Sequence, residues 1–508
     1  MSHLELKELK QANQLMKKGR INEALKILLE LEKRGNVSSQ DLLSCKLLKA
    51  NLLDRSSHFS EALKYASQFL DESQNQGDSF SYLNGLLIQA HSFIMMGDLS
   101  QGNIILKQAE EVFENLKGMS KIDLREKESF MVRIRAIFFG LKGDKLLCIK
   151  LNERALELAR DSDDKALTIA CLINLAEDYR DVGDYEKAII HAKRAIEVHY
   201  PPALLRSLGL MIEILLGKGD VVNAKSYFQR MSEVLEEDQS NYSNLKFHYY
   251  EALILKTSLR ARDRIKAEEI FKQIAKEKEN LEFRAKALIN LCDLLLIELT
   301  ITNDSDIINE INPYIIMLLN LAEQQHTFFT FYFAADTYLL NGKLQLLTFN
   351  ITKAKRFLTQ AQQIANRFGP PKLATKIKKE NDDLLKNEDL WKKLKEENAP
   401  MADRVALACL HEQIEGMIHK PTISAVYVRD EKVAITKETK ICLVCRGEVL
   451  RFTYICECGA IYCDNCARAL TNLENVCWVC ENPIDYTKPV KLYKDEVEEI
   501  NFKHNGKK

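Results

Sequence analysis

Leu172–Val198 reads LINLAEDYRDVGDYEKAIIHAKRAIEV. Ala176, Tyr179, Ala188, Ala192 and Ala195 recur at the three-to-four spacing of one helix face, and Gly183-Asp184 interrupts them. The spacing predicts a helix, a tight turn and a second helix. Two antiparallel helices approach closely only where the side chains at their crossing are short, so the alanines mark the contact.

The same signature, a turn position followed five residues later by a small residue, recurs along the chain. It runs from Gly19 to Ala24, Ser57 to Ala62, Gly97 to Gly102, Gly143 to Cys148, Gly183 to Ala188 and Gly219 to Ala224, with weaker copies ending at Ala267 and Ala354. Successive end points among the first six stand 38, 40, 46, 40 and 36 residues apart. Between Ala267 and Ala354 one copy is too diverged to place. The order of residues around Ala176, Tyr179, Gly183, Tyr185, Ala188 and Ala195 resembles the tetratricopeptide repeat, although the spacings exceed its 34 residues. That resemblance spans 1–368 and implies an α-solenoid whose concave face takes a peptide or helix of a partner protein. Each pair cannot bury its apolar face alone, and stacking supplies the missing core.

Two aromatic clusters, Phe247 to Tyr250 and Phe328 to Phe333, read as packing between neighbouring repeats. His248 and His326 read as ordinary histidines. After Phe368, Gly369-Pro370-Pro371 stops the last repeat helix, and 369–420 reads as a charged helical cap and linker. Its helix from Met401 to Ile418 is expected to dock on the cap. A short β segment is expected within 421–440, and a charged tail over 491–508.

The segment 441–490 holds eight of the thirteen cysteines: Cys442, Cys445, Cys456, Cys458, Cys463, Cys466, Cys477 and Cys480. They form four ordered pairs in a segment without histidine. Zinc takes four tetrahedral ligands, and a close cysteine pair sets both sulfurs on one ion, so eight thiolates suit two structural zinc ions. Iron–sulfur ligation uses the same thiolates and stays as the alternative. So small a segment cannot fold on apolar burial alone, which makes the metal part of its folding free energy. Ile455, Ile461, Tyr462, Leu470 and Trp478 are the expected miniature core, with a helix from about Ala467.

The order of these pairs resembles the RING and related cross-brace zinc fingers. By that likeness Cys442, Cys445, Cys463 and Cys466 hold one ion, and Cys456, Cys458, Cys477 and Cys480 the other. A sequential pairing, first four and last four, remains open. The resemblance further implies a ubiquitin-conjugating enzyme as partner, met by Val444, Leu470 and Trp478. Three departures tell against a RING-type ubiquitin ligase: Trp478 replaces a proline, Glu481 replaces a basic residue, and the middle gap has four residues.

The fold expected is therefore mainly α, a solenoid of helical hairpins followed by a small two-zinc α+β module. The function expected is a non-catalytic adaptor, with the RING-type ligase as the alternative. No P-loop, nucleophile elbow or zinc-hydrolase motif is present, so no catalytic residue is assigned. A net charge of −1 gives no electrostatic case for nucleic acid or an anionic membrane. The charged start MSHLELKELKQ and the lack of long apolar runs suggest a cytoplasmic protein. Cys45, Cys148, Cys171, Cys292 and Cys409 read as buried free thiols.

Overall fold

A computed structural model describes residues 7–418 except 18–19, 35–36, 57, 74–78, 120–122, 161–163, 238–240, 279, 324–327 and 369–370. It also describes 441–491 except 448, 450–451, 472, 474 and 485–489. The β segment expected within 421–440, the tail beyond 491 and His326 lie outside the described residues.

Among the described residues, nine antiparallel hairpins follow one another. They are α1 (Lys7–Lys17) with α2 (Ile21–Glu32), α3 (Ser39–Arg55) with α4 (Phe59–Ser73), and α5 (Ser79–Met95) with α6 (Leu99–Met119). Next come α7 (Arg125–Leu141) with α8 (Lys145–Leu158), α9 (Lys165–Asp181) with α10 (Tyr185–Glu197), and α11 (Pro201–Lys218) with α12 (Val221–Glu237). The last three are α13 (Asn241–Lys256) with α14 (Ala261–Ile274), α15 (Leu281–Thr302) with α16 (Ile307–Glu323), and α17 (Phe328–Leu347) with α18 (Ile351–Phe368).

The Gly-Asp pairs explain the sharp turns. Gly97, Gly143, Gly183 and Gly219 take φ between 83 and 89°, the left-handed region that ends a helix cheaply only for glycine. The following aspartates then cap the next helix: Asp98, Asp144, Asp184 and Asp220 accept from the backbone N–H groups of Gln101, Leu147, Lys187 and Asn223. Five residues past each turn, Gly102, Cys148, Ala188 and Ala224 are buried where the second helix crosses the first. The diverged copy is the hairpin α15–α16. Asn303 adopts the left-handed turn at φ 57°, and buried Ile308 stands where the small residue was expected.

First helices of successive hairpins touch, from α1 through α7 and again from α9 through α15. Second helices make no comparable contact with one another, so the first helices line the inside of the curve. Phe247 stacks on Phe228 of the preceding helix at 4.6 Å, and Tyr249 and Tyr250 are buried, which fits packing between repeats. Phe333 is buried as well, while the side chains of Phe328, Phe329, Phe331 and Tyr332 lie outside the described residues.

Beyond α18, α19 (Pro371–Lys386) packs on it and carries α20 (Glu388–Glu396). The segment from Met401 corrects the expected single helix on the cap. It breaks at Cys409, φ 48°, into α21 (Met401–Leu407) and α22 (Leu410–Ile418), and both pack on α15 and α17. The reason is burial: Met401, Val405, Leu410, Ile414 and Met417 complete the array's core. Buried Arg404 anchors the segment by donating to the carbonyl oxygens of Leu347 and Ala399.

The C-terminal module holds β1 (Phe452–Ile455), β2 (Ile461–Cys463), α23 (Asp464–Thr471) and β3 (Val490–Lys491), in antiparallel order β2-β1-β3. Helix α23 opens at Asp464, three residues before the position expected. An acidic residue in a first turn is favoured by the helix dipole.

Candidate metal centre and inner face of the array

Two cysteine groups form in the module, and they interleave. The sulfurs of Cys442, Cys445, Cys463 and Cys466 lie within 4.8 Å of one another, as do those of Cys456, Cys458, Cys477 and Cys480. Sulfur separations include 3.8 Å for Cys445–Cys463, 3.3 Å for Cys456–Cys480 and 3.6 Å for Cys458–Cys477. Four sulfurs set tetrahedrally about 2.3 Å from one ion stand roughly 3.8 Å apart, whereas a disulfide needs about 2.05 Å. All eight are free thiols, and each group could hold one metal ion.

Backbone geometry explains why these cysteines converge. Residues following the second cysteine of three pairs, Arg446, Gly459 and Glu481, take φ of 55, 87 and 63° and turn the chain back. Cys442 N–H donates to the Gly447 carbonyl at 2.9 Å, and Cys477 N–H donates to the Asn482 carbonyl at 2.7 Å. Amides also point at sulfur: Cys463 N lies 3.3 Å from Cys442 Sγ, and Val479 N lies 3.4 Å from Cys477 Sγ. Such donors favour the thiolates a metal requires. Buried Tyr462 joins the second group, accepting from Trp478 N–H and lying 3.1 Å from Cys477 Sγ.

Val444 and Leu470, two contacts that the resemblance assigns to a conjugating enzyme, are fully buried in the module's own core with Tyr462 and Ala467. A module this small spends its few large apolar side chains inside. Trp478 is half-buried. Ile455, expected in the core, is 39% exposed at the end of β1, because strand alternation turns Tyr454 inward instead.

The scattered cysteines are chemically quiet. Burial pushes the Cys45 thiol up to about 12 and Cys171 up to about 11, and raises Cys148 and Cys292 further. Cys409 differs from expectation: it is exposed, at the left-handed break between α21 and α22.

A feature the sequence reading missed runs along the inner face. His91 Nδ1 of α5 lies 2.8 Å from Asp54 Oδ1 of α3, and Arg133 Nη2 of α7 donates to His91 Nε2 at 3.3 Å. Arg133 only donates, so Nε2 accepts and the Nδ1–H donates to the Asp54 carboxylate. Farther on, Arg180 of α9 donates to Glu213 of α11 at 2.7 Å, Tyr250 of α13 donates to the same carboxylate at 3.2 Å, and Lys256 of α13 donates to Asn290 of α15 at 2.7 Å. Arg55, at the end of α3, grips Asp164 at the start of α9 through two hydrogen bonds of 3.0 and 2.5 Å across 109 residues. Burial raises the Asp164 carboxyl, but the Arg55 charge and its hydrogen bonds outweigh that and leave it below the usual aspartate range. The only available signal for this ladder was charge at positions facing the same way in consecutive repeats.

Among the described residues no helix is long and apolar enough to cross a membrane. No curated protein matches the chain. Among solved structures it resembles Rap protein complexed with competence and sporulation factor, at 15% identity over 76% of this chain and 98% of that one, TM-score 0.43. It also resembles the apo quorum sensor NprR from B. thuringiensis, at 17% identity over 74% and 97%, TM-score 0.43. Aspartyl phosphate phosphatase F from Bacillus subtilis aligns at 16% identity over 61% and 78%, TM-score 0.42. Residues 133–199, which are α7 from Arg133 onward together with α8, α9 and α10, match the tetratricopeptide repeat family.

Proposed function

We propose that this chain is a non-catalytic, cytoplasmic adaptor: the inner face of the repeat array binds a peptide or helix of one protein, and a two-zinc module carries the contact to a second. The observation that supports it most is closure of both cysteine groups. Four thiolates fill a tetrahedral zinc, leaving no position at which water could be activated. A reducing compartment keeps such thiols available. The polar pairs from α3 to α7 and from α9 to α15 give the groove polar anchors, while α21 and α22 occupy its far end. Burial of Val444 and Leu470 weighs against recruitment of a conjugating enzyme and so for an adaptor over a RING-type ligase; Trp478 stays as the module's candidate contact.

Metal analysis of the purified chain should give two zinc ions. Cys445→Ser and Cys463→Ser should each disable the same ion, and Cys456→Ser the other. Crosslinks to a co-purified partner should map to the inner helices between α3 and α13. Loss of a single shared ion in Cys445→Ser and Cys456→Ser would sink the interleaved assignment. Ubiquitin chain formation by the wild type, lost in Trp478→Ala with both ions retained, would replace the adaptor with the ligase.

A further inference from the structure

The last hairpin of the array reaches into the cysteine module. Arg367, in the final turn of α18, donates from Nη1 to Cys445 Sγ at 3.2 Å. Gln363, one turn earlier on the same face, sets its side-chain amide oxygen 3.9 Å from Cys466 Sγ. Both sulfurs belong to the first group. Gly447 makes room for the approach: a Cβ there would lie 2.3 Å from Arg367 Cζ and 2.5 Å from its Nη1, so a larger residue would push the guanidinium away.

The chemistry gives this contact a purpose. A zinc ion held by four thiolates leaves two net negative charges in a site where Cys442, Cys445 and Cys466 are buried. Desolvated charge is costly without donors, and arginine supplies a permanent cation with directed N–H groups. A zinc-bound Cys466 no longer donates, so the Gln363 amide turns over to present its NH2 to the sulfur.

We propose that Arg367 is the positioning cation of the first zinc site: it fastens the module to α18 and slows loss of that ion, leaving the second to hold by its own ligands. This rests on the zinc reading above.

The test uses the full chain. Its metal content is measured first, and a wild type without zinc would overturn the zinc reading and this proposal together. With two ions present, a chelator is added and cysteine alkylation is followed by peptide mapping, which separates the two groups. In Arg367→Ala the first group should become reactive about tenfold faster, in line with the tenfold or greater effect of outer-shell partners on metal sites. The second group should keep its wild-type rate. Arg367→Lys should fall between, retaining charge without the planar fork. Gly447→Ala should reproduce Arg367→Ala although α18 is untouched, with amide exchange rising at the end of α18. Equal acceleration of both groups, or unchanged first-group rates in both Arg367→Ala and Gly447→Ala, would overturn the proposal.

Discussion

Gly209→Ala should be far more damaging than an ordinary helical glycine replacement. Gly209 is buried in α11, and an added Cβ would stand 2.4 Å from both Cζ and the hydroxyl of Tyr250 on α13. Tyr250 has little room to retreat, since it is buried, meets Tyr249 edge-on at 5.2 Å, and donates to Glu213. Relieving the clash moves the ring by about an ångström and takes its hydroxyl off the carboxylate. Overpacking costs roughly 1–3 kcal/mol. A lost hydrogen bond to a charged group costs about 1.5–3 kcal/mol. Alanine returns about 1 kcal/mol of helix propensity. The net is a loss of roughly 1.5–5 kcal/mol. Gly118→Ala in α6 is the control, because its Cβ meets nothing within 4 Å and it should gain up to about 1 kcal/mol. Urea unfolding followed by circular dichroism, with amide exchange in α11 and α13, reads both variants. Adding Tyr250→Leu should make the pair cost less than the sum of the two single changes. If Gly209→Ala stabilises as much as Gly118→Ala, the close packing of α11 on α13 is refuted.

Asp164→Asn should cost on the order of 2 kcal/mol at neutral pH, since it leaves the Arg55 cation without its partner. The folded-state pKa of Asp164 is depressed, so the pair's stabilisation is present above the ordinary aspartate value of about 3.9 and fades as pH falls through the lower folded value. The melting temperatures of wild type and variant should accordingly converge in acid; a gap that widens there refutes the ion pair. Among the five scattered cysteines, a thiol reagent should modify Cys409 alone in the native chain, and peptide mapping that finds Cys45 or Cys171 labelled equally fast would contradict their burial.

The repeat was legible wherever glycine made the turn, because few other residues enter the left-handed region cheaply. It became illegible where Asn303 and Phe349 take that conformation without advertising it. The eight cysteines were legible because metal geometry fixes ligand spacing, and the fold adds the interleaving that spacing alone left open. Leu470 was expected both in the miniature core and at a contact, and it is buried; the burial of Val444 was hidden, because a resemblance supplies a role for a position, whereas a 39-residue core claims whatever large apolar side chains it has. The ladder was hidden for another reason. A charge on an amphipathic helix reads as solvent-facing until its partner is found one repeat away, 37 residues on for Asp54 and His91 and 33 for Arg180 and Glu213. The return of α21 and α22 onto α15 and α17 leaves no local mark at all, since the same apolar stripe would suit any neighbouring groove.

The Arg55–Asp164 contact bears on how force and fluctuation travel through the molecule. Stacked repeats ordinarily form a linear elastic rod, in which each unit feels only its neighbours and the ends stretch apart by small, accumulating rotations. A tie between α3 and α9 turns the stretch from α4 through α8 into a closed loop. Bending modes that would spread over this stretch are clipped at both ends, so pulling on the N-terminal hairpins should load the tie before it lengthens the coil. The segment then yields in one abrupt step where an untied stack would yield gradually, and its bore keeps a fixed width while the rest of the array remains free to breathe.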